Sequence, residues 1–325
     1  MGAFARAAPG CCCFTPLKPH RNEASTALNS HFTLGRQIGD FLTYILLPMV
    51  CVFLPYRWGQ ALLLAVARRG WLLQSRSELS LQLALRYVAI EDGANWRRNW
   101  RLVEMMEARD LWLSVFGRAA AISRRIKLHN VPQPKTGLVL LGLHCGPTAI
   151  VLKIFQDEGL GPRFVYRGIG PELRRLVPFQ WLFSKLNVRY IQQTCQGREI
   201  LVPGARNKLQ AALKEAGTPV ILLDAPVTRE GGSIYARVLG LNTEFAGEGP
   251  KLLCQERAHC VHYWLEVDEN GERELFFGAI SQPQTAEQLV TDFADLMSSR
   301  LAINSAHWRL WHAADQLFRA NLADK

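Results

Sequence analysis

His144 ends an apolar run of strand length, Gly137-Leu138-Val139-Leu140-Leu141-Gly142-Leu143, and is followed by the turn-prone Cys145-Gly146-Pro147. Thr148 to Phe155 then reads as the start of a helix. A histidine at the carboxyl end of a buried strand, at a strand-to-helix turn, stands where open α/β sheets place their chemistry. Neutral imidazole has a pKa of about 6.5, so it can accept a proton from a hydroxyl at neutral pH. The same position also suits a structural histidine that caps a strand. A histidine base usually needs a carboxylate to fix its tautomer and stabilise the imidazolium. In motifs of the His-x4-Asp/Glu kind that acid lies one turn into the following helix, and here the position is Ala149.

Asp224 closes a second apolar run, Pro219-Val220-Ile221-Leu222-Leu223. If both runs are strands of one parallel sheet, His144 and Asp224 leave it at the same edge. Asp224 is then a candidate partner for the imidazole or a substrate contact; the alternative is an aspartate starting the turn before Ala225-Pro226. Arg167, closing Phe164-Val165-Tyr166, falls on the same edge by the same argument. It could bind a phosphate or the phosphopantetheine of an acyl thioester, or form a surface ion pair. Glu248-Gly249-Pro250-Lys251 begins a helix whose unpaired amides suit an anion. Lys251 therefore joins the candidates for substrate contact, with Gly146 in the turn after the histidine.

The elements that must hold these residues read as α/β, with a mostly parallel central sheet flanked by helices. Strands are expected at 137–143, 163–167, 187–191, 218–223 and 234–239, and helices at 147–158, 171–185, 204–216 and 248–257. A loop lies around 228–233. Strands 260–267 and 273–279 are joined by Asp268-Glu269-Asn270-Gly271, a hairpin signal. Helix 285–303 and a helical stretch from 307 close the chain.

Before this unit, residues 1–32 read as a mobile tail, and 33–135 as a membrane anchor with basic amphipathic helices. Residues 41–55 carry no charge. As a helix they rise about 22 Å, short of the roughly 30 Å hydrocarbon core, and Pro48 would kink them. An embedded or re-entrant anchor is favoured over a clean span, with a buried core helix as the alternative. Between 77 and 127, Trp96, Trp100 and Trp112 alternate with arginines (Arg97, Arg98, Arg101, Arg109, Arg118, Arg124, Arg125), a pattern suited to a headgroup layer. A solvated arginine face over core tryptophans reads equally well for any single residue.

Charge follows the same division. Net charge is +10, with 14 Lys/Arg against 6 Asp/Glu in residues 57–135 and a balance of 20 against 20 in 136–325. Basic character beside the most apolar stretch favours an anionic membrane over nucleic acid, and no nucleic-acid-binding motif is recognisable. Hydrophobic content of 49% is ample for a core. The eight cysteines show neither disulfide nor zinc spacing, so no metal is expected. The run Cys11-Cys12-Cys13 reads as part of a disordered tail, an acylation site or an incidental cluster.

Taken in order, the blocks form a pattern. An apolar segment ends in Leu54-Pro55, and Arg-rich helices precede Gly142-Leu143-His144 and Phe164-Val165-Tyr166-Arg167. Leu213-Lys214-Glu215-Ala216-Gly217 leads into Ile221-Leu222-Leu223-Asp224, and Gly249-Pro250-Lys251-Leu252-Leu253 precedes Cys260-Val261-His262-Tyr263-Trp264. Ala306-His307-Trp308-Arg309-Leu310-Trp311-His312 comes last. From about residue 40 to 319 this order resembles the bacterial lipid A biosynthesis acyltransferases, the lauroyl/myristoyl transferase branch of the lysophospholipid acyltransferase superfamily. The resemblance implies transfer of a fatty acyl group to a hydroxyl of a glycolipid or related lipid. The donor would be an acyl carrier protein or coenzyme A thioester, with no bound cofactor. It puts His144 in the place of the catalytic histidine and matches Arg167 and Asp224 to the family's arginine and aspartate after the later strands. It further implies a place on the cytoplasmic face of the bacterial inner membrane, with anionic lipid and acyl carrier protein as partners. Ala149 departs from the family pattern, so the alternative is a catalytically silent relative that binds acyl chains or partners.

Overall fold

A computed structural model of the 325-residue chain describes residues 34–170, 173–215, 217–227 and 232–318. The tail at 1–32, including Cys11–Cys13, lies outside the described residues, as do 228–231 of the expected loop. The run before His144 folds as a strand because it is buried on both faces, as the interior of a parallel sheet requires. The strands are β1 (Lys127–His129), β2 (Leu138–Gly142), β3 (Pro162–Arg167), β4 (Ile200–Val202), β5 (Thr218–Leu222), β6 (Ser233–Val238), β7 (Leu241–Ala246), β8 (His259–Val267) and β9 (Arg273–Phe277). Seven of them form one sheet in the order β1-β9-β8-β2-β5-β3-β4, and β6 and β7 form a separate hairpin. The block β8-β2-β5-β3-β4 is parallel throughout; β9 turns back against β8, and β1 runs with β9. The chain is thus α/β with a mostly parallel central sheet flanked by helices.

Six helices precede β2: α1 (Leu34–Phe41), α2 (Leu47–Phe53), α3 (Tyr56–Arg69), α4 (Gln74–Ala84), α5 (Gly93–Val115) and α6 (Ala120–Ser123). A π-helical turn, Leu42–Leu46, joins α1 to α2, so the helical run continues through Pro48. Pro48 has no N–H to give the Tyr44 carbonyl, and Trp112 Nε1 donates to that oxygen instead at 2.6 Å. Gly35–Phe53 is long and apolar enough to cross a membrane. One face is turned inward, with Asp40, Thr43 and Tyr44 buried and Gln180 donating to Asp40. Ile38, Leu46, Val50 and Phe53 are exposed.

Several residues expected at a headgroup layer are core. Trp96 and Trp100 are buried, and Trp96 Nε1 donates to Ser305 Oγ at 2.9 Å. Arg101 donates to the Ala67 carbonyl near the end of α3, where helix carbonyls lack partners. Arg109 pairs with Asp110, which also binds Arg273 of β9, all three fully buried. Arg118, Arg124 and Arg125 are exposed, as the sequence pattern suggested. Buried side chains of α3–α5 and of β2 belong to one continuous core.

The later helices are α7 (Val151–Asp157), α8 (Leu173–Leu176), α9 (Pro178–Thr194), α10 (Arg206–Lys214), α11 (Glu248–Gln255), α12 (Ala286–Asn304) and the short α13 (Ala314–Leu317). The expected strand at 187–191 is wrong: those residues lie inside α9. Phe183, Tyr190, Ile191 and Thr194 bury one face at helical spacing, and Pro178 starts the helix. The next strand in the chain is the shorter β4, which pairs with the outer side of β3 and is reached through the turn at Gln196 and Gly197, both with positive φ. The expected helix at 147–158 begins only at Val151, and the strand near 234–239 has an unexpected partner in β7. The Asp268–Gly271 hairpin forms, with Asp268 Oδ1 accepting the amides of Asn270 and Glu272.

Candidate active site

Strand register brings the first pair together. Gly142 lies opposite Leu222 in the parallel β2–β5 ladder, so two residues later His144 and Asp224 leave the same sheet edge side by side. Asp224 is fully buried and accepts three hydrogen bonds. Its Oδ1 lies 2.7 Å from His144 Nδ1, and its Oδ2 takes the His144 backbone amide and Trp308 Nε1, each at 2.8 Å. An ionised carboxylate only accepts, so His144 carries its proton on Nδ1 and presents Nε2 as the basic nitrogen.

Backbone shape sets the imidazole in place. A Cβ at Gly142 would lie 2.3 Å from the Tyr263 ring, so only glycine lets that ring cross the end of β2. Burial pushes the Tyr263 phenol well above its ordinary pKa, which keeps it protonated. Gly146 turns with φ +74°, and its amide donates to the His307 carbonyl at 3.0 Å. Cys145 pairs with Trp308 in an antiparallel bridge, and the Arg309 amide donates to the His144 carbonyl at 3.0 Å. The segment 305–311 therefore lies along the histidine loop like an added strand. Burial also raises the Cys145 thiol far above the usual range, so no thiolate is available there at neutral pH.

His144 lines a cavity of about 770 Å³, a volume within the range of ligand pockets. Phe164, Phe183, Ile191, Leu209 and Leu222 contribute apolar wall, with Arg167, Glu107, Tyr263 and Arg309 among the polar groups. Arg167 thus reaches the wall from the end of β3, two strands from His144. Gly146 and Lys251 do not line the cavity. A Cβ at Gly146 would lie 3.3 Å from Leu265, and the Gly146 amide is taken by the His307 carbonyl, while Lys251 lies exposed on α11. The start of α11 does reach the wall, through Gly247 to Pro250.

Sequence reasoning missed Glu107, Trp308 and Arg309. Glu104 and Glu107 stand three residues apart on α5, hence on one face. Arg309 Nε donates to Glu104 at 2.8 Å, and its Nη1 pairs with Glu107 at 2.8 Å. Glu107 Oε2 accepts the Ala149 amide at 2.9 Å. Two acidic residues at helical spacing inside an otherwise apolar stretch, Leu102 to Ala108, were the available signal for the glutamates. Among the described residues, no group of three or more His, Cys, Asp or Glu could hold a metal ion. No family model matches the chain, and no curated protein matches it in sequence.

Proposed function

We propose that this protein is a membrane-associated O-acyltransferase that moves a fatty acyl group from an acyl carrier protein or coenzyme A thioester to a hydroxyl of a glycolipid or related lipid. The observation that carries the reading is the buried His144–Asp224–Trp308 arrangement at the wall of a largely apolar cavity. His144 Nε2 takes the acceptor hydroxyl's proton as the oxygen attacks the thioester carbonyl. The imidazolium so formed is stabilised by Asp224, and the thiol leaves with the proton as the tetrahedral intermediate collapses. The apolar wall suits an acyl chain. Arg167 and the start of α11 suit an anionic group of donor or acceptor.

The order of sequence blocks supports this class, and Asp224 answers the absence of an acid at Ala149. The exposed Ile38, Leu46, Val50 and Phe53, with Trp58 71% exposed just beyond, favour seating of α1 and α2 in a bilayer. Exposed arginines nearby in sequence favour an anionic leaflet, and the cytoplasmic face of a bacterial inner membrane fits both.

The test is transfer of labelled acyl groups from carrier-protein and coenzyme A thioesters to glycolipid acceptors in anionic vesicles. Wild type should transfer, and His144→Ala should lower turnover at least about 1,000-fold with the fold intact by circular dichroism. Equal turnover in the two overturns the mechanism. Binding of acyl thioester without transfer in wild type would favour a silent acyl-chain-binding protein.

A further inference from the structure

The buried pair of Glu107 and Arg309 plays no part in the mechanism above, yet both residues line the cavity beside His144. Four contacts define it. Arg309 spans Glu104 and Glu107, its backbone amide holds the His144 carbonyl, and Glu107 holds the Ala149 amide. Residues 144 and 149 are the two ends of the loop that leaves β2 and approaches α7. The middle is fixed separately, by Gly146 on His307 and Cys145 on Trp308.

The position of this ion pair is costly. Glu104, Glu107 and Arg309 are each almost completely buried. Desolvating such groups takes several kcal/mol per ion, which their attraction repays only when the geometry is good. A hydrophobic cluster would hold α5 to the segment 305–311 without that cost. What apolar side chains could not do is accept the Ala149 N–H, because that buried amide precedes the first turn of α7 and has no helical partner.

We infer that Glu107 is a positioning residue. Paired with Arg309, it fixes the loop 144–149 at both ends and so holds the His144 ring against Asp224. The clamp is a property of the loop; its effect on turnover rests on the acyl-transfer reading. Loss of Glu107 frees the far end of the loop and lets the imidazole leave its alignment, and misplacement of a catalytic group by about 1 Å can lower a rate about 100-fold.

Hydrogen–deuterium exchange of the full chain, read by mass spectrometry over residues 143–152, tests the clamp without any substrate. Glu107→Ala should accelerate exchange there at least about 10-fold and leave peptides from β5 and β8 unchanged, as expected of a local opening. Glu107→Gln keeps an oxygen for the Ala149 amide and should stay within about 3-fold of wild type. Arg309→Lys keeps the charge but cannot span both glutamates, so it should reproduce the local acceleration by a milder change. Acceleration spread over the whole sheet, none at 143–152, or identical behaviour of the Ala and Gln variants overturns the proposal. In the transfer assay, kcat should fall about 10- to 100-fold in Glu107→Ala with the donor KM within about 3-fold, and Glu107→Gln should recover most of it. A chain with the expected exchange pattern but no transfer in wild type refutes the acyl-transfer reading and supports the clamp.

Discussion

Asp224 Oδ2 is claimed by two donors that cannot turn away, the His144 amide and the Trp308 indole. This makes Asp224→Asn a sharper test than a simple loss of charge. The asparagine must give its single oxygen to those two donors, since a backbone N–H and an indole N–H can only donate. Its NH2 group then faces His144 Nδ1 and forces that nitrogen to accept. The ring proton moves to Nε2, and the base is lost with the shape of the site unchanged. Turnover should fall about 1,000- to 10,000-fold, comparable to the change of tautomer in a serine protease triad. Nitrogen-15 spectra of the His144 ring should show the proton on Nε2 in Asp224→Asn and on Nδ1 in wild type. A ring still protonated on Nδ1 in the variant would rule out this account. Ala149 illustrates the limit of a spacing argument. It marks a carboxylate missing from one local position, whereas the imidazole takes its carboxylate from the neighbouring strand, 80 residues on.

The sheet edge was legible in the sequence wherever a buried strand announces itself by composition. Leu138–Gly142 and Thr218–Leu222 are apolar runs with one available role, so the adjacency of His144 and Asp224 followed from assuming a parallel pair. Segments decided by packing were not legible. Val188 and Ile191 favour a strand by residue type, but the stripe from Phe183 to Thr194 buries as a helix. Trp308 and Arg309 stood inside a recognised block, yet their closeness to His144 depends on 305–311 folding back along the loop, a contact over more than 160 residues. Within this edge, Gly142 is the tightest joint. Alanine there would drive its methyl group into Tyr263, since the ring atoms lie 2.3 to 2.6 Å from the added Cβ. Gly142→Ala should cost about 1–3 kcal/mol of stability, the usual range for overpacking, and displace Tyr263 from the cavity wall. Tyr263→Ala should remove most of that penalty. Chemical denaturation of the two single variants and the double variant closes the cycle, and strict additivity would show that the two residues do not meet.

Two histidines around the site, His307 buried and His312 half-buried, are held in their neutral form, and this ties global stability to pH. Burial lowers His307 to about 4 and His312 to about 4, with Arg76 adding to the effect at His312. At His307 the Asn304 amide lies 3.0 Å from Nε2 and occupies it as an acceptor, which a protonated ring would forbid. In the unfolded chain both rings titrate near the ordinary value of about 6.5. Between these values the unfolded state binds more protons than the native state, so stability rises with pH across that window. It is complete above about 6.5 and lost as pH falls toward 4. Each histidine contributes about 2 kcal/mol of lost stability between pH 7 and pH 5. The loss concentrates where function is proposed, because the His307 carbonyl holds Gly146 and the next residue, Trp308, holds Asp224. Urea midpoints at pH 7 and pH 5 should therefore separate widely in wild type. They should draw closer in His307→Gln, which is neutral at both values. Equal separations in the two proteins would place the acid sensitivity elsewhere. The same acid step should lower protection, measured relative to the intrinsic exchange rate at each pH, at residues 143–152 before it does so in β5, because the segment carrying both histidines is what pins the loop beneath His144.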